Sequence, residues 1–125
     1  MIAPIAVATV GGKCLRVMMA SIREYAAEVP VFLRGPESVI GSFEADRKIF
    51  GQPSTFGECY NEVIDAVFAE GWDSVVVAND DIVLTPTSYQ VLMEDVALLK
   101  KEAPKVGWVA ARCDASRAKI GRAHV

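Results

Sequence analysis

Apolar residues recur along this chain with two different periods, and their alternation lays out the fold. Residues 2–10 are apolar, rich in β-branched side chains and end at Gly11-Gly12, which predicts a strand. Over 13–27, Leu15, Met18, Met19, Ile22 and Tyr25 or Ala26 return at helical spacing. A short second strand follows over 29–33, with Pro30 near its start and Arg34-Gly35-Pro36 closing it. No period holds from 37 to 53, where Phe43, Ile49 and Phe50 are mixed with Glu44, Asp46, Arg47 and Lys48. That stretch predicts a long connection with one turn of helix, and loops of this length are often functional.

The second half is more regular. Thr55 and Glu58 have the spacing of a capping box, so a helix starts at Phe56. Its buried stripe is Phe56, Tyr60, Val63, Ile64, Val67 and Phe68, and Gly71 stops it. Residues 72–78 form the strongest strand signal. Ser74-Val75-Val76-Val77-Ala78 lacks alternation, as expected of a central parallel strand covered on both faces. Thr85 is read as the N-cap, and Pro86 as the first residue, of a helix with a stripe of Tyr89, Leu92, Met93, Val96 and Leu99. Pro104 ends it, and 106–111 reads as a last strand. Trp72 and Trp108 flank strands and read as core or edge aromatics.

The order β-α-β-loop-α-β-α-β predicts an α/β fold, a mostly parallel central sheet flanked by helices. In such sheets ligands sit beyond the carboxyl ends of the strands. The chain of 125 residues fits one domain over 1–113, with 114–125 as a mobile tail. There is no internal repeat or low-complexity tract.

Composition narrows the function classes. A hydrophobic fraction of 52% and a charged fraction of 23% describe an ordinary globular protein. A net charge of −3 with no basic stripe argues against nucleic acid as a partner. The basic residues that do cluster, Arg112, Arg117, Lys119, Arg122 and His124, lie at the end of the chain. Cys14, Cys59 and Cys113 are odd in number and lack a C-x-x-C pair, which reads as reduced thiols and a cytoplasmic location. Residues 1–10 lack the basic start of a signal peptide, and no apolar run reaches the roughly 20 residues of a membrane span.

Asn79-Asp80-Asp81 carries the strongest chemical signal. Two adjacent carboxylates repel, and a divalent cation relieves that repulsion. Mg²⁺ and Mn²⁺ take oxygen ligands and commonly share one or two carboxylates with substrate phosphates. The bland alternative is a solvated turn or helix cap, which is weaker if Thr85 already caps the next helix.

Ala78-Asn79-Asp80-Asp81-Ile82-Val83-Leu84-Thr85-Pro86 resembles the acidic motif of family 2 and related GT-A-type glycosyltransferases, where a strand runs into acids, then apolar residues, then a Pro opening a helix. Gly57-Glu58-Cys59-Tyr60-Asn61-Glu62-Val63-Ile64-Asp65-Ala66, with Gly71 beyond, is similar to the helix before that strand. Val7-Ala8-Thr9-Val10 stands where the family sets a loop against the nucleotide base. No diagnostic residue singles out a closer relation, such as to the small majastridin-like members.

The resemblance implies a nucleotide-binding half of a GT-A-like fold, acting on a nucleotide-diphosphate sugar, UDP type favoured. Asp81 would ligate Mn²⁺ or Mg²⁺, and Asp80 would bond the ribose or donor sugar. Asn79 belongs to the same donor site, and Ala8, Thr9 and Val10 would line the nucleoside pocket. Two departures matter. The acid that usually follows the second strand is replaced by Arg34-Gly35, with Glu37 and Glu44 as distant substitutes. The acceptor-binding half that supplies a catalytic base has no counterpart, so the catalytic residues, the acceptor and any homo-oligomer that completes the site stay open.

Other motifs carry less. Gly11-Gly12-Lys13 could cradle a phosphate but is neither a P-loop nor G-x-G-x-x-G, and a tight strand-to-helix turn is the simpler reading. Arg47 and Lys48 could act as a lid over phosphates or stand as solvated loop charges. Asn79-Asp80-Asp81-Ile82-Val83 loosely resembles an aspartate phosphatase motif, but Asn79 occupies the nucleophile position. The competing functions are therefore glycosyl transfer, a non-catalytic nucleotide-sugar binding module, a phosphatase- or receiver-like domain, and a structural interaction domain.

Overall fold

The computed structural model describes residues 2–111. Elements run β1 (Ile5–Ala8), α1 (Lys13–Tyr25), β2 (Val31–Gly35), α2 (Glu37–Ile40), β3 (Arg47–Phe50), α3 (Phe56–Ala69), β4 (Val76–Ala78) and α4 (Ser88–Glu102). The chain divides into a compact unit from Ile2 to Tyr89 and a second unit that takes up at Gln90. The predicted tail, the terminal basic cluster, His124 and Cys113 lie outside the described residues.

Within the first unit the four strands form one all-parallel sheet in the order β3-β2-β1-β4. The expected α/β class with flanking helices is therefore the observed one. β1 pairs with β2 from Ile5↔Val31 to Ala8↔Arg34 and with β4 from Ile5↔Val76 to Val7↔Ala78. The chain steps one way from β1 through β3, then reverses to reach β4. Crossovers between parallel strands are right-handed, so the reversal sends α3 to the face opposite α1. Ala6 and Phe32 pack with Tyr60, Val63 and Val67 of α3, and Ile49, Ile64, Trp72 and Val75 fill in around them. Strand alternation directs Ile5, Val7 and Leu33 to the other face, where the right-handed rule sets Leu15, Met18 and Ile22 of α1; all six are buried.

The turn from β1 into α1 depends on Gly11 and Gly12, with φ of 112° and 126°. A Cβ on Gly12 would meet nothing within 4 Å, so its requirement is backbone conformation alone. Gly12→Ala is expected to cost about 1–3 kcal/mol through strain. A urea midpoint equal to that of the parent chain would exclude this.

Several expectations are corrected. Residues 37–53 contain the one-turn helix α2 but also β3, an edge strand whose mixed polarity hid it from the hydrophobic pattern. Arg47 reaches Glu70 and Lys48 Nζ donates to the carbonyls of Gly41 and Phe43 (2.8 and 3.0 Å), so neither is a loop lid. The second strand spans Val31–Gly35 rather than 29–33, and its first N–H donates to Asp46 Oδ1 at 2.8 Å. In α1, Ala26 rather than Tyr25 continues the buried stripe; Tyr25 is exposed.

The strand predicted over 72–78 is three residues long and, among the described residues, pairs on one side only. Its expected central position and double coverage are not found among the described residues: Val77 is 51% exposed. Thr85 and Pro86 do not open α4, which begins at Ser88. The Ser88 hydroxyl accepts from Thr85 N and donates to Thr85 O, forming a turn instead of the expected cap.

In the second unit α4 continues to Glu102, and residues 106–111 form no strand; Trp108 is 79% exposed. No helix among the described residues is long and apolar enough to cross a membrane.

Candidate functional site

A cleft of about 430 Å³ opens at the carboxyl ends of β1 and β4. This is where the strand order reverses, the point at which open α/β sheets bind ligands. One wall is Ala8, Thr9 and Val10, and the other is Asn79, Asp80 and Asp81. All six residues singled out from the sequence therefore meet in one place, although 68 or more positions separate the two groups.

Local chemistry holds the walls together. Thr9 is 5% exposed, and its backbone N–H extends the β1–β2 ladder to Arg34 O at 2.9 Å. Its hydroxyl donates to Asp80 Oδ2 at 2.7 Å and accepts from Gly11 N at 3.0 Å. Asp80 is thus oriented by β1, its second oxygen taking no hydrogen bond from the described residues, and Asp81 is exposed. Beyond the pair, Leu84 N donates to Ser21 Oγ of α1 at 3.0 Å, which fixes the path of the apolar Ile82-Val83-Leu84 segment.

α3 supplies the third wall through Phe56, Cys59 and Tyr60, with Ser54 from the segment before its cap. The capping box is observed. Thr55 Oγ1 accepts from Glu58 N at 3.2 Å, while Glu58 Oε1 accepts from the Ser54 and Thr55 hydroxyls at 2.7 and 2.8 Å. The hydroxyls of Ser54 and Thr55 hold the Glu58 carboxyl below its ordinary pKa. The cap fixes where α3 begins and so delivers Phe56 and Tyr60 to the cleft, their rings 4.5 Å apart at 34°.

Phe56, expected in the buried stripe, is instead 69% exposed. Phe68, expected there too, is 46% exposed. Burial pushes the Tyr60 phenol above its usual pKa, and Asp80 and Asp81 add to that, so it remains a hydrogen-bond donor at neutral pH. Ser54, Phe56, Cys59 and Tyr60 are the cleft residues that pattern reading did not single out; Tyr60 is buried as the stripe predicts, but a helical stripe does not distinguish core from a cleft at the helix start.

The residue types fit hard, oxygen-seeking cations only in part. Among the described residues, no group of three or more His, Cys, Asp or Glu could hold an ion unaided. Asp81 and the second oxygen of Asp80 offer the one or two carboxylates that Mg²⁺ or Mn²⁺ commonly takes from protein, the other positions going to water and phosphate oxygens. Among the described residues, no Lys, Arg or His lines the cleft. Lys13, Arg47 and Lys48 do not reach it, and neither do Glu37 and Glu44; Glu44 stands 4.0 Å from Arg23.

Behind α3, Arg34 occupies the place where the glycosyltransferase pattern has an acid. It is buried, donating to Glu62 Oε1 (2.7 Å) through Nε, and to Gln52 O (2.9 Å) and Cys59 Sγ (3.2 Å) through Nη1. It supports the cleft from outside it.

Comparison with known protein families, with curated proteins and with solved structures returns no match. The functional reading therefore rests on the site itself.

Proposed function

We propose that the cleft binds a nucleoside diphosphate or its sugar ester through a divalent cation, in the manner of the nucleotide-binding half of a GT-A-type glycosyltransferase. The observation that carries the reading is the meeting of Asn79-Asp80-Asp81 with Ala8-Thr9-Val10 at the strand-order reversal, with Asp80 hooked to Thr9. As formed by the described residues, the cleft has two carboxylates and no basic side chain, a lining that repels a bare diphosphate. Binding must then be cation-dependent, which distinguishes this site from one that uses Lys or Arg.

In this reading Asp81, with the second oxygen of Asp80, holds Mn²⁺ or Mg²⁺. Bound there, such an ion would neutralise the diphosphate and would supply stabilisation of charge on a leaving diphosphate. The backbone of residues 8–10 lines the nucleoside, and Asn79 offers an amide donor and acceptor to the ribose or sugar. The exposed face of Phe56 gives a planar ring somewhere to stack.

Beyond the acidic pair, the described residues of the cleft lining include no carboxylate or imidazole that could serve as base toward an acceptor hydroxyl. That favours, as second reading, a nucleotide-sugar binding module without transferase activity of its own. Release of free sugar or of a glycosylated product from a UDP-sugar would decide for the enzyme.

The first test is a thermal-shift series of nucleoside diphosphates with and without Mn²⁺. UDP with Mn²⁺ at a hundred times its Kd should stabilise the chain by about 2.7 kcal/mol, or roughly 10 °C in a domain of this size. UDP without a cation should have no effect. An unchanged midpoint for every diphosphate with Mn²⁺ present would overturn the proposal.

A further inference from the structure

We infer that Tyr60 is a positioning residue for the acidic segment, its hydroxyl fixing the backbone from which Asp80 and Asp81 project. The inference rests on the cation-diphosphate reading of the cleft. The ladder between β1 and β4 ends at Val7↔Ala78, and past that pair the strands part to form the cleft. Tyr60 reaches this point from α3. Its hydroxyl donates to Ala78 O at 2.6 Å and lies 3.4 Å from Ala8 O. A phenol has one hydrogen, so the short bond to Ala78 is the principal one and Ala8 is a secondary partner.

Ala78 is the last residue of β4 and the one before Asn79-Asp80-Asp81. The acidic segment is thus tied at two points: its backbone to α3 through Tyr60, and its first carboxylate to β1 through Thr9 at 2.7 Å. Asp81 is exposed, and its direction follows from the backbone that carries it. The ring of Tyr60 packs with Ala6, Phe32, Val63 and Val67, contacts that phenylalanine would make equally well. Packing therefore accounts for an aromatic residue at this position and leaves the hydroxyl to be explained. Partners that orient metal-binding groups from behind typically change cation affinity ten- to a hundredfold when lost.

The test is calorimetry of Mn²⁺ and Mg²⁺ binding in the presence of UDP, on the parent chain and on Tyr60→Phe. Tyr60→Phe should fold, bind Mn²⁺ with UDP about ten- to a hundredfold more weakly, and show an altered preference between the two ions. p-Aminophenylalanine at position 60 restores a ring donor and should recover most of the loss, which a purely packing role would not produce. A folded Tyr60→Phe with parental affinity and ion preference would overturn the inference and leave the binding site standing. A parent chain that binds UDP with neither ion would overturn both.

A measurement on the parent chain needs no variant. With tyrosine labelled at ζ-¹³C, Mg²⁺ and UDP should shift the Tyr60 signal and leave that of Tyr89, whose hydroxyl bonds Ala3 N and O (2.8 and 2.7 Å). An unmoved Tyr60 signal at saturation would overturn the inference even if Tyr60→Phe failed to fold.

Discussion

Asp81→Asn is expected to abolish Mn²⁺-dependent binding of UDP while leaving the fold intact. Asp81 is exposed, and exposed substitutions away from special features usually move stability by no more than about 0.5 kcal/mol. Removing its charge also relieves repulsion from Asp80, so the ligand-free chain should melt at the parental temperature or slightly above. With ligand the balance reverses. A cleft whose described residues offer two carboxylates and no further protein ligand loses half its anionic donors, and a hundredfold fall in affinity corresponds to about 2.7 kcal/mol. The stabilisation by UDP and Mn²⁺ should therefore vanish. Calorimetry giving parental affinity for Asp81→Asn would remove Asp81 from the site and turn attention to Asp80.

Arg34→Ala should be the most destabilising single change near the cleft, at about 3 kcal/mol. The Arg34 side chain is 9% exposed but that of Glu62 is 50% exposed, so water screens the Coulomb attraction and the ion pair itself contributes little. The loss comes instead from the hydrogen bonds to Gln52 O and Cys59 Sγ and from the cavity left beside Gly51. A Cβ on Gly51 would stand 2.5 Å from Arg34 Nη2, which shows how closely the guanidinium is enclosed. A urea titration should show a lower midpoint with an unchanged slope. A loss below about 1 kcal/mol would show that water satisfies these groups as well as Arg34 does.

The parts of the fold legible in the sequence were those whose burial is periodic. Leu15, Met18 and Ile22 mark α1, and Val63 and Val67 mark α3, because a helix on a sheet buries every third or fourth residue. β3 was not legible, since its half-exposed mixture of Arg47, Lys48, Ile49 and Phe50 follows neither period. β4 misled in the other direction. An all-apolar run reads as a central strand, but Val77 is half exposed and β4 pairs on one side only among the described residues.

Thr85-Pro86 misled through competition, because the Ser88 hydroxyl captures the Thr85 backbone and delays α4. The acidic wall of the cleft and the β1 wall were both legible as strand ends. What joins them was not. The Thr9–Asp80 and Tyr60–Ala78 bonds span 71 and 18 positions, and no local pattern encodes such distances.

The one-sided pairing of β4 has a consequence for handling the chain. Among the described residues, Val76-Val77-Ala78 presents backbone donors and acceptors along an edge that carries no Lys or Pro. Concentrated solutions therefore carry a liability toward ladder growth from molecule to molecule. Salts such as sulfate, which strengthen apolar association, will bring it on first.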